Sequence, residues 1–281
     1  MGRIIDTKDV MPVIARLAQK ACYELSDNFV NALKDAYAIE ESPYGKETID
    51  MLIKNAAYAK KEQLAVCHDT GTAVVIMEIG QEVSWTGMPL YDAANEGIRK
   101  GYAEGYLRNS VVRDPLDRVN TGDNTPCIFH TEIVPGDKVR ITVMPKGGGS
   151  ENMSTFSNLV PAAGEEGVKN FVLKTVTESG GNTCPPVIVG VGVGGTMDKS
   201  TWLAKKALLR PIGKRSPVAH YAKMEKELLE KINNSGIGPM GMGGRITALD
   251  VFIEYFPCHI ASLPVAVNLQ CHSSRWASDE M

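Results

Sequence analysis

The sequence predicts a mixed α/β (α+β) fold: an N-terminal helical layer followed by mixed sheets with flanking helices. Three observations predict it. Apolar residues recur at helical spacing through residues 8–60. From about residue 72 onward, short β-branched runs bounded by turn formers read as strands. Helices and strands then mix without strict βαβ alternation. No repeat, low-complexity tract or linker interrupts the chain. The expectation is therefore one domain over 1–281, helical over about 1–62 and α/β over about 63–281.

The elements follow in order. Val10, Val13, Ile14, Leu17, Ala18, Ala21, Cys22 and Leu25 mark one apolar helix face, with Cys22 as core. Ser26 or Asp27 caps a second helix carrying Phe29, Leu33, Ala36 and Tyr37. Ser42-Pro43 opens a third, where proline fits the first turn. Ala73–Ile79 is an apolar strand, followed by Val83-Ser84-Trp85 and a helix over about 90–107. Residues 108–126 form a long polar loop. Cys127–Val134 and Lys138–Met144, joined by Pro135-Gly136-Asp137, read as a hairpin. A helix over about 164–178 precedes the strand starting at Val187, and a further helix covers about 217–233. The chain closes with a strand over 247–256 and another over 265–269.

Composition narrows the function. The 281 residues suffice for a core without disulfide staples. Net charge is −3 and no basic run stands out, so neither nucleic acid nor a membrane surface is an expected partner. No window reaches the apolar length that spans a bilayer, and the N-terminus lacks a signal-peptide pattern. A cytoplasmic setting is expected, in which six cysteines do not form a disulfide framework. No CxxC pair points to a zinc ribbon or a ferredoxin cluster. Any bound metal must be gathered from distant parts of the chain.

Four stretches concentrate chemistry. Cys67-His68-Asp69-Thr70-Gly71-Thr72 places a thiol, an imidazole, a carboxylate and hydroxyls in a glycine-containing turn before a strand, where binding groups collect. Read alone, it is equally a polar turn with a core cysteine. Lys146-Gly147-Gly148-Gly149-Ser150-Glu151-Asn152 exposes successive N–H groups, as an anion nest or as a flexible linker. Gly190, Gly192 and Gly195 satisfy GxGxxG after a strand, which supports a nucleotide-binding oxidoreductase. No second strand ending in an acidic residue follows at the required distance, which weakens that alternative. Cys258-His259 and Cys271-His272 are two Cys-His dipeptides near the end of the chain.

Taken together, Cys67–Thr72, Lys146–Asn152, Asn182-Thr183-Cys184-Pro185-Pro186 and Cys258-His259 through Cys271 resemble the alpha part of the iron–sulfur hydro-lyases, namely class I fumarate hydratases and L-tartrate dehydratases. The resemblance runs in order over nearly the whole chain. It implies a 4Fe-4S cluster held by Cys67, Cys184 and Cys271, with one iron open to substrate. It implies Asp69 and His259 as catalytic groups, with Asp69 in a proton-handling or orienting role. His68, Asp69, Arg108, Gly148 and His259 are implied substrate contacts, and His68 stands where the family commonly has glutamine.

The chain ends soon after Cys271, where single-chain members continue into a beta domain. The resemblance therefore implies a separate beta subunit and a hetero-oligomer of alpha and beta chains. Reversible hydration of fumarate to L-malate is the leading expectation. L-tartrate dehydration is the alternative on another small dicarboxylate. A non-catalytic iron–sulfur scaffold is a further one, opposed by Asp69, Arg108 and His259.

Overall fold

The computed structural model describes residues 2–281, which form two compact units. The first comprises the chain up to Leu25, Ala56–Gly148 and Arg275–Met281. The second comprises Ser26–Asn55 and Gly149–Ser274. The mixed α/β class is observed, with helices packed on mixed sheets in both. The three N-terminal helices are divided between the units: α1 (Val10–Tyr23) belongs to the first and α2 (Asp27–Ile39) to the second, and α3 (Pro43–Glu62) runs from the second into the first.

In the first unit, β2 (Thr72–Gly80) lies between β4 (Ile128–Val134) and β5 (Val139–Lys146), with β10 (Ala277–Glu280) on the outer edge of β5. A separate pair joins β1 (Arg3–Asp6) to β3 (Val83–Thr86). The expected hairpin is not formed. Its two strands flank β2, β4 parallel to it and β5 antiparallel. The reason is burial. Ala73–Met77 are buried without interruption, as in a central strand, whereas β4 has no fully buried position and takes the edge. The Pro135–Asp137 turn instead closes against the end of β2, where Gly80 N–H donates to Lys138 O at 2.8 Å and Glu82 N–H donates to Gly136 O at 3.0 Å. Val10, Ile14, Leu17, Ala18, Ala21 and Cys22 are sealed into the core beneath α1, which packs on β5 and on α4 (Leu90–Glu104).

The second unit is a four-stranded sheet in the order β6 (Thr155–Leu159), β9 (Leu263–Gln270), β7 (Val187–Gly194), β8 (Ala248–Phe256). Its core alternates Val187, Val189, Val191 and Val193 with Val265, Val267 and Leu269. The helices α6 (Gly164–Ser179), α7 (Met197–Ala207) and α8 (Ala219–Asn233) cover it. Gly190 and Gly192 lie inside β7, not in the strand-to-helix turn that a dinucleotide fingerprint requires. A Cβ on Gly190 would stand 2.1 Å from Ala204 O, and one on Gly192 2.0 Å from Ser200 O. These glycines admit the backbone of α7 against the strand. The nucleotide-binding alternative therefore loses its motif.

Among the described residues no helix is long and apolar enough to cross a membrane.

Candidate active site

Register places the first cysteine turn. Thr72 pairs with Lys146, so Cys67–Gly71, entering β2, meets Gly147 and Gly148, leaving β5. Asp69 joins the two segments: its Oδ1 accepts from Gly71 N–H at 3.0 Å and its Oδ2 from Gly148 N–H at 2.8 Å. Gly148 opens a five-residue helix, α5 (Gly148–Asn152), so the glycine run is neither a linker nor an open nest. Its first amide already holds a carboxylate, that of Asp69.

Buried side chains fix the turn from below. The Tyr102 hydroxyl donates to Thr70 O at 2.8 Å, and burial pushes its phenol well above the usual range, which keeps it a donor. The Arg275 guanidinium, 1% exposed, donates to Asp69 O. Thr70 Oγ1 donates to Arg108 O at 2.7 Å. Asn124, fully buried, donates from Nδ2 to Gly71 O at 3.1 Å and accepts at Oδ1 from Ser110 N–H at 2.6 Å. The Arg108 side chain is exposed and forms no ion pair among the described residues. His68 is exposed and Cys67 half-buried.

Register also places the other two cysteines of the expected set. Ile188 pairs with Gln270, so Cys184, ahead of β7, and Cys271, just past β9, reach the same edge of the second sheet. His272 N–H donates to Cys184 O at 3.1 Å and closes this edge. Cys184 adopts a left-handed backbone, φ 53°, and Cys271 Sγ lies 3.1 Å from Ser273 Oγ. The structure does not bring His259 to this edge. His259 sits in the exposed turn between β8 and β9, at the Gly194 end of the sheet. The eight residues of β9 separate it from Cys271, about 26 Å at about 3.3 Å per residue. His259 Nδ1 accepts from Ala261 N–H at 3.1 Å, within its own turn.

The environments of the six thiols test whether an iron–sulfur cluster fits. Burial pushes the Cys22 thiol up to about 12, against the opposing charge of Arg275, and that of Cys127 up to about 11. Both stay protonated, and a cluster needs thiolates. Cys258 is exposed. Cys67, Cys184 and Cys271 are neither sealed nor fully exposed, and each lies in a loop at a strand end. Half-buried loop thiols of this kind suit thiolate ligation better than the two sealed ones do. Among the described residues no three His, Cys, Asp or Glu side chains converge as ligands of one metal ion.

Sequence reasoning missed Tyr102, Asn124, Arg275 and His272 as parts of these two loop systems. The signal for His272 was its place beside Cys271. The other three carried none, because the turn residues they bond lie 31 to 206 positions away.

The model of the family described as Fumarate hydratase (Fumerase) matches residues 12–279. The chain belongs to this class I fumarate hydratase family of iron–sulfur hydro-lyases. It is 44% identical over 274 residues to a Methanocaldococcus jannaschii protein carrying the provisional name L(+)-tartrate dehydratase subunit alpha, covering 95% of this chain and 96% of that one. It is 31% identical over 267 residues to the L(+)-tartrate dehydratase subunit alpha of Escherichia coli K12, covering 94% and 88%.

Proposed function

We propose that this chain is the alpha subunit of an L-tartrate dehydratase, removing water from a four-carbon hydroxy diacid. The observation that carries the reading is the near full-length similarity to proteins of that name, at 44% and 31% identity. It displaces fumarate, the leading expectation from the sequence, to second place. Fumarate hydration is retained as the second reading because the family description that matches residues 12–279 is that of fumarate hydratase.

In the proposed site Cys67, Cys184 and Cys271 hold a 4Fe-4S cluster, and the chain works as a single cluster-bearing domain. When bound, the cluster supplies a Lewis-acidic iron that stabilises departing hydroxide. Arg108, exposed and free of ion pairs among the described residues, takes a substrate carboxylate through its planar fork of donors. Asp69, both oxygens fixed by backbone N–H groups, orients the reacting hydroxyl or handles its proton. Gly148 positions Asp69 through its N–H, so this amide is taken and does not make the substrate contact that the resemblance implies. His68 adds a hydrogen bond from the exposed rim of the turn. His259 is assigned no role at the Cys184–Cys271 edge.

A beta subunit completes the site, as the alpha-subunit names of the relatives suggest. A cytoplasmic setting suits a cluster with an iron open to solvent. The test is turnover of L-tartrate and of fumarate by the cluster-loaded complex of this chain with its beta subunit. A kcat/KM for L-tartrate at least about tenfold above that for fumarate supports the reading. The reverse order overturns it in favour of fumarate hydratase.

A further inference from the structure

Two separate side chains tie the loop carrying Arg108 to the turn carrying Cys67 and Asp69. Thr70, 1% exposed, donates its hydroxyl to Arg108 O at 2.7 Å. Asn124, fully buried, spans the same gap one step further along: its amide N–H donates to Gly71 O at 3.1 Å, and its carbonyl accepts from Ser110 N–H at 2.6 Å. Consecutive residues of the turn, 70 and 71, are thereby bolted to residues 108 and 110 of the loop. Asn124 makes these bonds from a left-handed backbone, φ 58°, in which asparagine is among the more tolerant non-glycine residues. The segment around Asn124 is pinned in turn. Asp123 accepts from Arg99 Nε at 2.8 Å and from Thr125 Oγ1 at 2.8 Å. Residues 108–126 contain no helix or strand, only an isolated bridge between Val112 and Asn120, so regular structure does not hold Arg108 in place. The two bolts do.

We propose that Thr70 and Asn124 are positioning residues that set the spacing between the Arg108 guanidinium and the Asp69 carboxylate, and so select a short diacid. The proposal rests on the reading of Arg108 as the substrate arginine. A substrate whose carboxylate meets Arg108 while its reacting carbon lies at Asp69 is bound by two groups on different segments. A fixed distance between those segments favours one chain length. A displaced Arg108 meets the carboxylate less well in ground and transition state alike, which weakens binding and raises KM. Thr70 and Asn124 touch backbone only and exchange no proton with substrate in this scheme.

The test compares Thr70→Val, Thr70→Ser, Asn124→Asp and Arg108→Ala in the cluster-loaded complex of this chain with its beta subunit. It uses whichever of L-tartrate and fumarate the parent complex turns over. Valine keeps the shape of Thr70 and removes its donor, whereas serine keeps the donor. Aspartate keeps the acceptor for Ser110 and removes the donor to Gly71. Iron content and the visible absorption of the cluster are read for every variant before kinetics.

The expected result is a KM raised at least about tenfold in Thr70→Val and Asn124→Asp, kcat within about threefold, and Thr70→Ser close to the parent, all with parental iron and absorption. If Arg108→Ala raises KM and the two donor-deleted variants do not, the positioning proposal is overturned and the substrate arginine stands. Loss of iron in Thr70→Val overturns it too, since the bolt would then be part of the cluster scaffold. If Arg108→Ala leaves KM unchanged, or the complex turns over neither diacid, the reading of the site falls and the proposal with it.

Discussion

Glu40 offers a sharp test of how the second unit is held together. It is 2% exposed and lies between α2 and α3. Its Oε1 accepts from Glu41 N–H and Ser42 N–H at 2.8 Å each and from Arg245 N–H at 2.9 Å, and its Oε2 accepts from Ile246 N–H at 2.7 Å. Burial raises the carboxyl pKa, but the four backbone donors outweigh it and hold the group below its ordinary value of 4.5. In Glu40→Gln the amide carbonyl can keep the three donors now on Oε1. The NH2 group then faces Ile246 N–H, donor against donor, in a buried position.

One buried N–H left unsatisfied costs about 1–3 kcal/mol, and the charge assistance lost at the other three adds to it, so a loss on the order of 3 kcal/mol is expected. Guanidinium unfolding followed by circular dichroism reads this as a lower midpoint, with faster amide exchange at residues 245 and 246. The carboxylate's contribution is present above pH 4.5 and is lost as pH falls through its lowered folded value, so the parent loses stability in acid and the glutamine variant loses less. A change under about 0.5 kcal/mol at neutral pH would refute the assignment of Glu40 as the anchor of residues 245–246.

Three further outcomes are expected. Cys67→Ser, Cys184→Ser and Cys271→Ser should each reduce iron and acid-labile sulfide in the anaerobically purified chain, whereas Cys127→Ala and Cys22→Ala should retain both, and retention in all five would dismiss the ligand assignment. Gly190→Ala would place a Cβ 2.1 Å from Ala204 O, so a loss of about 3 kcal/mol or failure to accumulate is expected, and a stable variant in thermal melts would show that α7 does not rest on this glycine. Burial raises the Asp123 pKa, but bonds from Arg99 and Thr125 bring it down to about 2, so its support for the 108–126 loop is present above 3.8 and lost as pH falls toward about 2. Asp123→Asn should abolish that acid dependence in proteolysis of the loop at a stability cost of about 1 kcal/mol or less, given the exposed guanidinium.

Most helices were legible because their signals repeat along the chain. Ser26 accepts from Phe29 N–H at 3.2 Å as a cap, and Pro43 opens α3. Strand neighbours were not legible in the same way. Pro135-Gly136-Asp137 is a sound turn signal, yet it cannot report that β2, more than fifty positions earlier, takes the place between the two strands it joins. What decides the arrangement is that β2 is apolar on both faces and β4 is not, a comparison between distant segments. The short edge strands β1, β6 and β10 were missed for a related reason: four or five residues carry too little periodicity to stand out.

The site divides along the same line. Cys67, Asp69, Arg108 and Gly148 stand in local patterns that a family resemblance can capture. The groups that hold them do not. Tyr102, Asn124 and Arg275 read in sequence as an ordinary helix tyrosine, a loop asparagine and a terminal arginine, and each reaches the 69–71 turn through its backbone oxygens. A carbonyl has no sequence signature, since every residue carries one. Residues that anchor a turn by its backbone are therefore invisible to motif reading in general. Conversely, the family resemblance implies His259 as a site residue, and the eight residues of β9 lie between it and Cys271. A strand crossed end to end converts proximity in sequence into separation in space, while Cys184 and Cys271, far apart in sequence, share a sheet edge because β7 and β9 run antiparallel.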